Sequence, residues 1–92
     1  LRIDLSHRVV TMEDREISLT PTEYDLLRVL MRNAGKVITH RQLLRLVWGP
    51  AYEAEMHLLR VNISNIRRKL ETNSPSPSPI RTEPGVGYRL IE

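Results

Sequence analysis

Residues 56–71 read MHLLRVNISNIRRKLE, and this stretch decides the fold. Its large apolar residues recur at the three- and four-residue spacing of a helix, and at about 100° per residue they cluster within about 60°. They are Leu59, Ile63, Ile66 and Leu70. The opposite face is neither a core nor an ordinary solvated stripe, and it carries His57, Val61, Ser64, Asn65 and Arg68. The stretch therefore predicts a helix that is buried on one face and chemically unusual on the other.

The outward residue types match the edges of bases in the major groove of DNA. Asn can bond adenine through two hydrogen bonds, Arg can bond guanine, Ser suits either base, and Val can contact a thymine methyl group. Basic residues on this helix can also neutralise phosphates. They are Arg60, Arg67, Arg68 and Lys69. Each residue alone is equally well explained as soluble surface, but the set on one helix favours a nucleic-acid interface.

Two capping boxes precede this stretch and predict two further helices. Thr20 and Glu23 bracket the first start, with Pro21 at the first helical position, and Thr39 and Gln42 bracket the second. The predicted apolar faces are Tyr24, Leu27, Leu30, Met31 and Ala34 in the first helix and Leu43, Leu44 and Val47 in the second.

Glycine and proline are expected to end these two helices. Gly35 stands where a left-handed C-terminal cap belongs, and Gly49-Pro50 is expected to stop the second helix at Trp48. The third helix is then expected over about residues 56–72.

Strand patterns lie on both sides of the helices. Alternation of apolar and polar residues predicts an antiparallel meander of three strands at the start, around residues 1–5, 9–12 and 17–19. Near the end, residues 80–82 and 88–91 flank a Pro/Gly turn and predict a hairpin. The NSPSPSP segment before it, residues 73–79, is expected to be a short stiff connector without regular structure.

This order of elements predicts one α+β domain with the winged helix-turn-helix architecture. Its parts are an N-terminal sheet over residues 1–19, a three-helix core over 20–72 and a wing hairpin over 79–92. A chain of 92 residues buries roughly 60–65% of its unfolded surface, which supports one core but no deep substrate cavity. Because the chain begins with Leu1 rather than Met, we expect a fragment of a longer protein.

Charge is spread unevenly along the chain, which carries +3 in total. Residues 1–25 hold three basic and six acidic residues, a net charge of −3, and residues 26–92 hold 11 basic and 5 acidic residues, a net of +6. Such asymmetry points to an anionic partner on the second part of the chain, although chance also produces it in small proteins.

Several classes of protein are excluded by composition. The absence of Cys rules out a disulfide scaffold, a thiolate metal site and a cysteine nucleophile. No apolar run approaches the ~18 residues of a membrane span, and no signal peptide is visible. We therefore expect a cytoplasmic protein that does not associate with membranes.

No constellation of residues suits catalysis or cofactor binding. His7, His40 and His57 lie on different predicted elements, which disfavours zinc. Gly85-Val86-Gly87 lacks the context of a phosphate loop and is explained by a turn that needs positive φ. Ser64 has no base placed to activate it. The sequence therefore predicts no enzyme, no cofactor and no metal.

Several stretches, taken together, are specific to one family. They are LTPTEY (19–24) with Leu26-Leu27, GKVITHRQLL (35–44), VWG (47–49), IRRKLE (66–71) and GVGYR (85–89). Over essentially its whole length the chain resembles the C-terminal effector domain of OmpR/PhoB-type response regulators. The resemblance implies a winged helix-turn-helix that binds double-stranded DNA and regulates bacterial transcription in a two-component phosphorelay. Within the family, the chain is similar to the members that control a potassium-transport operon at Trp48-Gly49-Pro50, at His57 with Leu59-Arg60, and at Thr82-Glu83 before the wing glycines.

The resemblance also implies roles for particular residues. The third helix becomes the recognition helix, with bases read by Arg60, Val61, Ser64 and Asn65. Some of the basic residues named above and several others complete the predicted set of phosphate and backbone contacts. The set is Trp48, His57, Arg67, Arg68, Arg81, Thr82 and Tyr88. The segment that occupies the place where family members can touch RNA polymerase is the loop with Gly49, Pro50, Tyr52, Glu53 and Glu55. For Trp48 the alternative is a position in the core, which is commoner for an aromatic residue at a helix end.

Partners follow from the same resemblance. Family members usually bind direct repeats head to tail, driven by phosphorylation of an N-terminal receiver domain that is absent from this chain. We therefore expect a monomer in isolation and a head-to-tail dimer on DNA.

Two departures from the family pattern affect these expectations. Many relatives have Arg before the first wing glycine, where this chain has Pro84, and Arg81 is a weaker substitute for reading the minor groove. Ser64 and Asn65 replace an Arg pair that many relatives carry, which implies lower backbone affinity and a different base preference.

Two other functions compete with the interpretation that the domain binds DNA. The first is a winged helix that docks an acidic protein partner, or RNA polymerase or its own copy, without reading DNA. Charge docking alone does not need the outward Val61, Ser64 and Asn65. The second is RNA binding, which is disfavoured because single-stranded recognition depends on exposed aromatic residues, and aromatic residues make up only 4% of the chain.

Overall fold

The computed structural model describes residues 1–72 and 74–91, and its order of elements is that of a winged helix-turn-helix. The strands are β1 (Arg2–Asp4), β2 (Val9–Met12), β3 (Arg15–Ile17), β4 (Ile38–Thr39), β5 (Ile80–Glu83) and β6 (Gly87–Leu90). The helices are α1 (Pro21–Arg32), α2 (His40–Val47) and α3 (Met56–Thr72), with a short 3₁₀ helix, Pro50–Tyr52, between α2 and α3. The predicted fold class is confirmed.

The first sheet is the predicted antiparallel meander, in the order β1-β2-β3. Its β2–β3 turn places Glu13 and Asp14 at φ 51° and 65°, the left-handed conformation that favours a tight hairpin turn. The third strand is earlier than predicted. It ends at Ile17, which pairs with Val10, and Leu19 lies outside the sheet because the chain already turns there toward the cap of α1.

Both predicted capping boxes are present. The Thr20 hydroxyl accepts the Glu23 N–H at 3.1 Å, and the Glu23 carboxylate accepts the Thr20 N–H at 3.0 Å. Thr39 and Gln42 exchange the equivalent bonds, both at 3.1 Å. The first turn of each helix therefore has backbone donors satisfied by local side chains.

The end of α1 differs from the prediction. The helix stops at Arg32, so Ala34 is exposed outside it, whereas Leu26 is fully buried and was not in the predicted apolar face. Gly35 does take a positive φ of 85°, and its N–H donates to the Leu90 carbonyl at 2.8 Å. That bond ties the α1–β4 loop to β6.

The core contains the predicted apolar face of α3 between leucines of the other elements. The side chains that are at most 1% exposed are Leu26, Leu27, Leu30, Leu43, Leu44, Leu59, Ile63, Ile66, Leu70 and Leu90. Each such burial contributes about 1.5–3 kcal/mol relative to exposure. With one face of α3 fixed in this way, its opposite face has to point away from the core.

The second sheet has the order β4-β6-β5, and its hairpin, residues 80–90, is called the wing below. The predicted reason for its two glycines holds for only one of them. Gly85 has a φ of 75° in the turn, whereas Gly87 pairs with Thr39 where there is no room for a side chain. Gly87 is required by a close approach of two backbones.

The connector before the wing has no helix or strand in its described part, as predicted, but it is more than a spacer. Ser78 is buried, its N–H donates to the Glu71 carboxylate at 3.2 Å, and its hydroxyl accepts the Ile80 N–H at 3.1 Å. Asn73, the first residue of the predicted connector, lies outside the described residues.

Candidate nucleic-acid interface

The outward face of α3 comprises His57, Arg60, Val61, Ser64, Asn65 and Arg68. All of these except Asn65 are exposed, and Asn65 is half-buried. Val61 is 41% exposed although it is a branched apolar residue in the middle of a well-packed helix. The helix therefore presents the four predicted base-reading residues on its outward face, with His57 and Arg68 beside them.

Asn65 and Arg68 form one unit on this face. The Arg68 Nη2 donates to the Asn65 Oδ1 at 2.9 Å, which orients the amide. Asn62, by contrast, donates its Nδ2 to the Leu58 carbonyl on the same helix at 2.9 Å, so its amide is used within the protein.

A groove runs between α3 and the wing and has a volume of about 640 Å³. It brings together five of the predicted contact residues, which are Arg60, Ser64, Arg67, Arg68 and Tyr88. Ile63, Glu71 and Thr72 complete its lining. The groove is mostly basic and hydroxyl-bearing, which suits a phosphate-bearing ligand.

The remaining predicted contact residues lie outside this groove. His57 is exposed in the first turn of α3, and Arg81 and Thr82 are exposed on β5. Trp48 caps the end of α2, is half-buried and packs against the core. This position agrees with the alternative that Trp48 belongs to the core, although the residue is not fully buried.

Arg67 is tied to the wing, which the sequence did not reveal. Its Nε and Nη2 donate to the Ile80 carbonyl at 3.3 and 3.1 Å, and Nη2 also donates to the Thr82 hydroxyl at 2.6 Å. Its guanidinium lies 5.5 Å from the ring centroid of Tyr88. The only sequence signal was its position on the flank of α3, so the phosphate contact predicted for it stays a prediction.

Lys69, one of the predicted phosphate-neutralising residues, forms an ion pair within the domain. Its Nζ lies 2.6 Å from the Glu23 Oε1, on the side of α3 that faces α1. The side chain of Glu23 is only 3% exposed, so this ion pair joins two helices inside the domain. The helical spacing already placed Lys69 on a flank, but no local signal linked it to Glu23, 46 residues earlier.

The loop predicted to meet RNA polymerase is a compact turn. Gly49 has a φ of 112° before the 3₁₀ helix, and Tyr52 is 44% exposed. The Glu53 carboxylate pairs with Arg41 of α2 at 3.4 Å, and Glu55 and Pro50 are exposed. The loop therefore exposes the Tyr52 ring and the Glu55 side chain, whereas the Glu53 carboxylate is paired with Arg41.

His40 lies where α2, α3 and the wing meet. Its ring packs edge-on against Tyr88 with ring centroids 5.5 Å apart, and its backbone N–H donates to the Val86 carbonyl at 3.1 Å. Burial, and secondarily the positive charge of Arg60, lower the pKa of His40 from its ordinary value of 6.5. From the sequence, His40 was only one of three scattered histidines that disfavour zinc, so this packing was not predicted.

The lowered pKa of His40 predicts that acid destabilises the domain. The folded state disfavours the charged ring, so the unfolded chain takes up a proton first, and stability present above the unfolded pKa is lost as pH falls below about 6.5. Thermal melts of the protein and of His40→Gln between about pH 8 and about pH 5.5 measure this. The variant should lose less stability on acidification, and His57→Gln, an exposed control, should behave like the parent. Equal losses in all three proteins would exclude His40 as a cause.

Comparison with known proteins identifies the family. A family model described as "Transcriptional regulatory protein, C terminal" matches residues 14–90. The chain belongs to the OmpR/PhoB-type family of response-regulator C-terminal domains. Domains of this family are DNA-binding transcription factors and not enzymes, as the sequence predicted.

Two of the similar curated proteins share the name KdpE. The transcriptional regulatory protein KdpE of Mycobacterium tuberculosis is 46% identical over 88 residues, covering 96% of this chain and 39% of the relative. The KDP operon regulator KdpE of Escherichia coli is 46% identical over 89 residues, covering 97% of this chain and 40% of the relative. The chain therefore corresponds in extent to well under half of each of these proteins.

Solved structures confirm the winged-helix fold. The DNA-binding domain of Klebsiella pneumoniae RstA, solved in complex with its RstA box, aligns with a TM-score of 0.84 at 29% identity. The alignment covers 97% of this chain and 88% of that one. Among the helices described over residues 1–72 and 74–91, none combines the length and the apolar character that a membrane span requires.

Proposed function

We propose that residues 1–92 form the effector domain of a two-component response regulator that binds double-stranded DNA in a sequence-specific manner. The observation that supports this most is the outward face of α3. It combines an exposed valine, a hydroxyl and an amide with arginines on either side, above a rigidly packed core. These are the groups that read base edges and hold phosphates.

The proposed division of labour follows the position of each side chain. Arg60, Val61, Ser64 and Asn65 face the bases from the middle of α3. Backbone contacts are assigned to Trp48, His57, Arg67, Arg68, Arg81, Thr82 and Tyr88. Tyr88 is only 5% exposed, so its contact would have to be made from the lining of the groove. For Arg67 this role competes with its bonds to the wing.

A protein-docking winged helix is the rival function. An acidic partner could dock on the arginines of α3 without help from Val61 or the Asn65 amide. Family membership and the DNA complex of the RstA domain favour DNA. Docking by charge alone would not involve the Val61 side chain, which is 41% exposed, whereas a thymine methyl group could pack against it.

Further parts of the proposal concern the whole protein. The KdpE relatives support control of a potassium-transport operon. By family membership, we also propose an N-terminal receiver domain whose phosphorylation promotes head-to-tail binding to direct repeats. On the same ground we propose that this domain is a monomer in isolation and that the protein is cytoplasmic. The loop with Gly49, Pro50, Tyr52, Glu53 and Glu55 is proposed to contact RNA polymerase, because it immediately precedes α3 and exposes Tyr52 and Glu55.

Selection of the domain on random duplex DNA tests this function directly. The selected duplex would then be titrated against a scrambled duplex over a series of salt concentrations. We expect a recovered motif, with direct repeats as the expected form, and a preference of ~10³ or more over the scrambled sequence. Binding that is steep in salt but indifferent to sequence would reduce the function to a basic patch, and no binding at low salt would favour the docking rival.

Asn65→Ala is expected to weaken binding to the selected site by about 1–3 kcal/mol and to relax the preference at one base pair. The reason is the loss of the outward amide that Arg68 holds in place. Asn62→Ala is the matched control, because that amide bonds the Leu58 carbonyl within α3. Titrations against all four variants of each base pair measure the effect. Equal weakening on cognate and random DNA would remove Asn65 from the base-reading set.

A further inference from the structure

Two side chains one turn apart on α3 fasten the beginning of the wing. Arg67 donates to the Ile80 carbonyl and to the Thr82 hydroxyl. Glu71 accepts the Ser78 N–H, and the Ser78 hydroxyl in turn accepts the Ile80 N–H. The backbone of Ile80 is thus held from both its N–H and its carbonyl side.

The Arg67 guanidinium contacts both strands of the wing. On β5 it binds the Ile80 carbonyl through two nitrogens and Thr82 through one, and on β6 it lies 5.5 Å from the Tyr88 ring centroid. This pattern depends on a planar fork with several N–H donors. A lysine ammonium carries the same charge but cannot reproduce the fork.

The wing needs such fastening because its sheet is small. An isolated two-stranded hairpin is marginally stable, and the strand pairing of the wing with β4 covers just two residue pairs. Two further backbone bonds reach the wing, from the Gly35 N–H to the Leu90 carbonyl and from the His40 N–H to the Val86 carbonyl. The side-chain bonds of Arg67 and Glu71 add direct links between the start of the wing and the recognition helix.

We propose that Arg67 is a positioning residue that sets the wing against α3, so that both reach DNA in one geometry, and that this is its main contribution to binding. This inference rests on the proposed function. It differs from a phosphate contact in a testable way, because neutralising a phosphate requires only a positive charge, whereas positioning requires the guanidinium fork.

The experiment compares Arg67→Lys and Arg67→Ala with Arg68→Ala, a neighbouring exposed arginine, in two measurements. The first is amide hydrogen exchange of β5 and β6 in the DNA-free domain. We expect exchange about tenfold faster in both Arg67 variants, because charge-assisted bonds to the wing are lost, and no change in Arg68→Ala. Thr82→Val, which removes a single acceptor, should give a smaller change in the same direction.

The second measurement is binding to the selected duplex over a salt series, with hydroxyl-radical footprints. Both Arg67 variants should bind about tenfold more weakly, with protection lost at the wing and kept at α3, and Arg67→Lys should keep the parental salt slope. Arg68→Ala should instead reduce that slope by about one. General destabilisation would remove both footprints together, so the local loss identifies positioning.

Two results would overturn the inference. In the first, Arg67→Lys keeps the parental exchange rates, affinity and footprint, while Arg67→Ala lowers the salt slope by about one. That combination is the behaviour of a residue that only neutralises a phosphate. The other is unchanged exchange of the wing in both variants. Failure of the unaltered domain to select any duplex would refute the proposed function alone, because exchange in the DNA-free domain still decides whether Arg67 fixes the wing.

Discussion

Replacing Lys69 by Ala should destabilise the domain by about 3 kcal/mol, the lower part of the range for breaking a buried ion pair. The substitution leaves the Glu23 carboxylate, only 3% exposed, without the ammonium that lies 2.6 Å away in the parent. The lower part of the range applies because the Lys69 side chain is 32% exposed, so water can partly compensate. Urea or thermal unfolding measures the loss.

The two ends of this pair should not be equivalent. Glu23→Gln leaves an ammonium that can turn toward water, and the new amide can still accept the Thr20 N–H, so it should cost only about 1 kcal/mol. The double variant should then be more stable than Lys69→Ala alone, since it contains no buried unpaired charge. Lys36→Ala, on an exposed loop, is the control and should change stability by less than about 0.5 kcal/mol. A Lys69→Ala variant as stable as that control would refute the argument.

The Lys69–Glu23 pair also shows which part of the structure the sequence could predict. Local rules located both capping boxes, the bounds of α3 and its buried face, because caps and helical periodicity act over three to four residues. They also predicted which face of α3 is outward. They could not assign partners to side chains on the flanks of that helix, since Lys69 meets α1 and Arg67 meets β5 only after the chain has folded.

The differences between the predicted and the observed structure have similar physical causes. The third strand was predicted too late because alternation of apolar residues continues through Leu19, although pairing with β2 ends at Ile17. The composition of the connector predicts a spacer because it excludes regular structure, but composition carries no information about the bonds of Ser78 to neighbouring segments. Among the predicted site residues, those on α3 lie where the helix period put them. The roles of Arg81, Thr82 and Tyr88 depend on how the wing meets DNA and remain predictions.

The two glycines of the wing give the second large effect, because they are needed for different reasons. A Cβ on Gly87 would stand 1.9 Å from the Ile38 carbonyl oxygen and 2.8 Å from the Thr39 Cα, both backbone atoms of β4. A Cβ on Gly85 would meet nothing within 4 Å, but the φ of 75° there disfavours any side chain. The first glycine avoids a collision and the second permits a turn.

Gly87→Ala should therefore cost about 3 kcal/mol or more, which for a domain of this size lowers the melting temperature by roughly 12–24 °C. Relief of the collision requires β4 to separate from β6, so the amides of the Ile38–Tyr88 pair should lose protection from hydrogen exchange and DNA binding should weaken with them. Gly85→Ala is the matched control, with an expected cost of about 1–2 kcal/mol and an intact β4–β6 ladder. If Gly87→Ala melted at the parental temperature with β4 protected, the close approach of the two backbones would not limit this position.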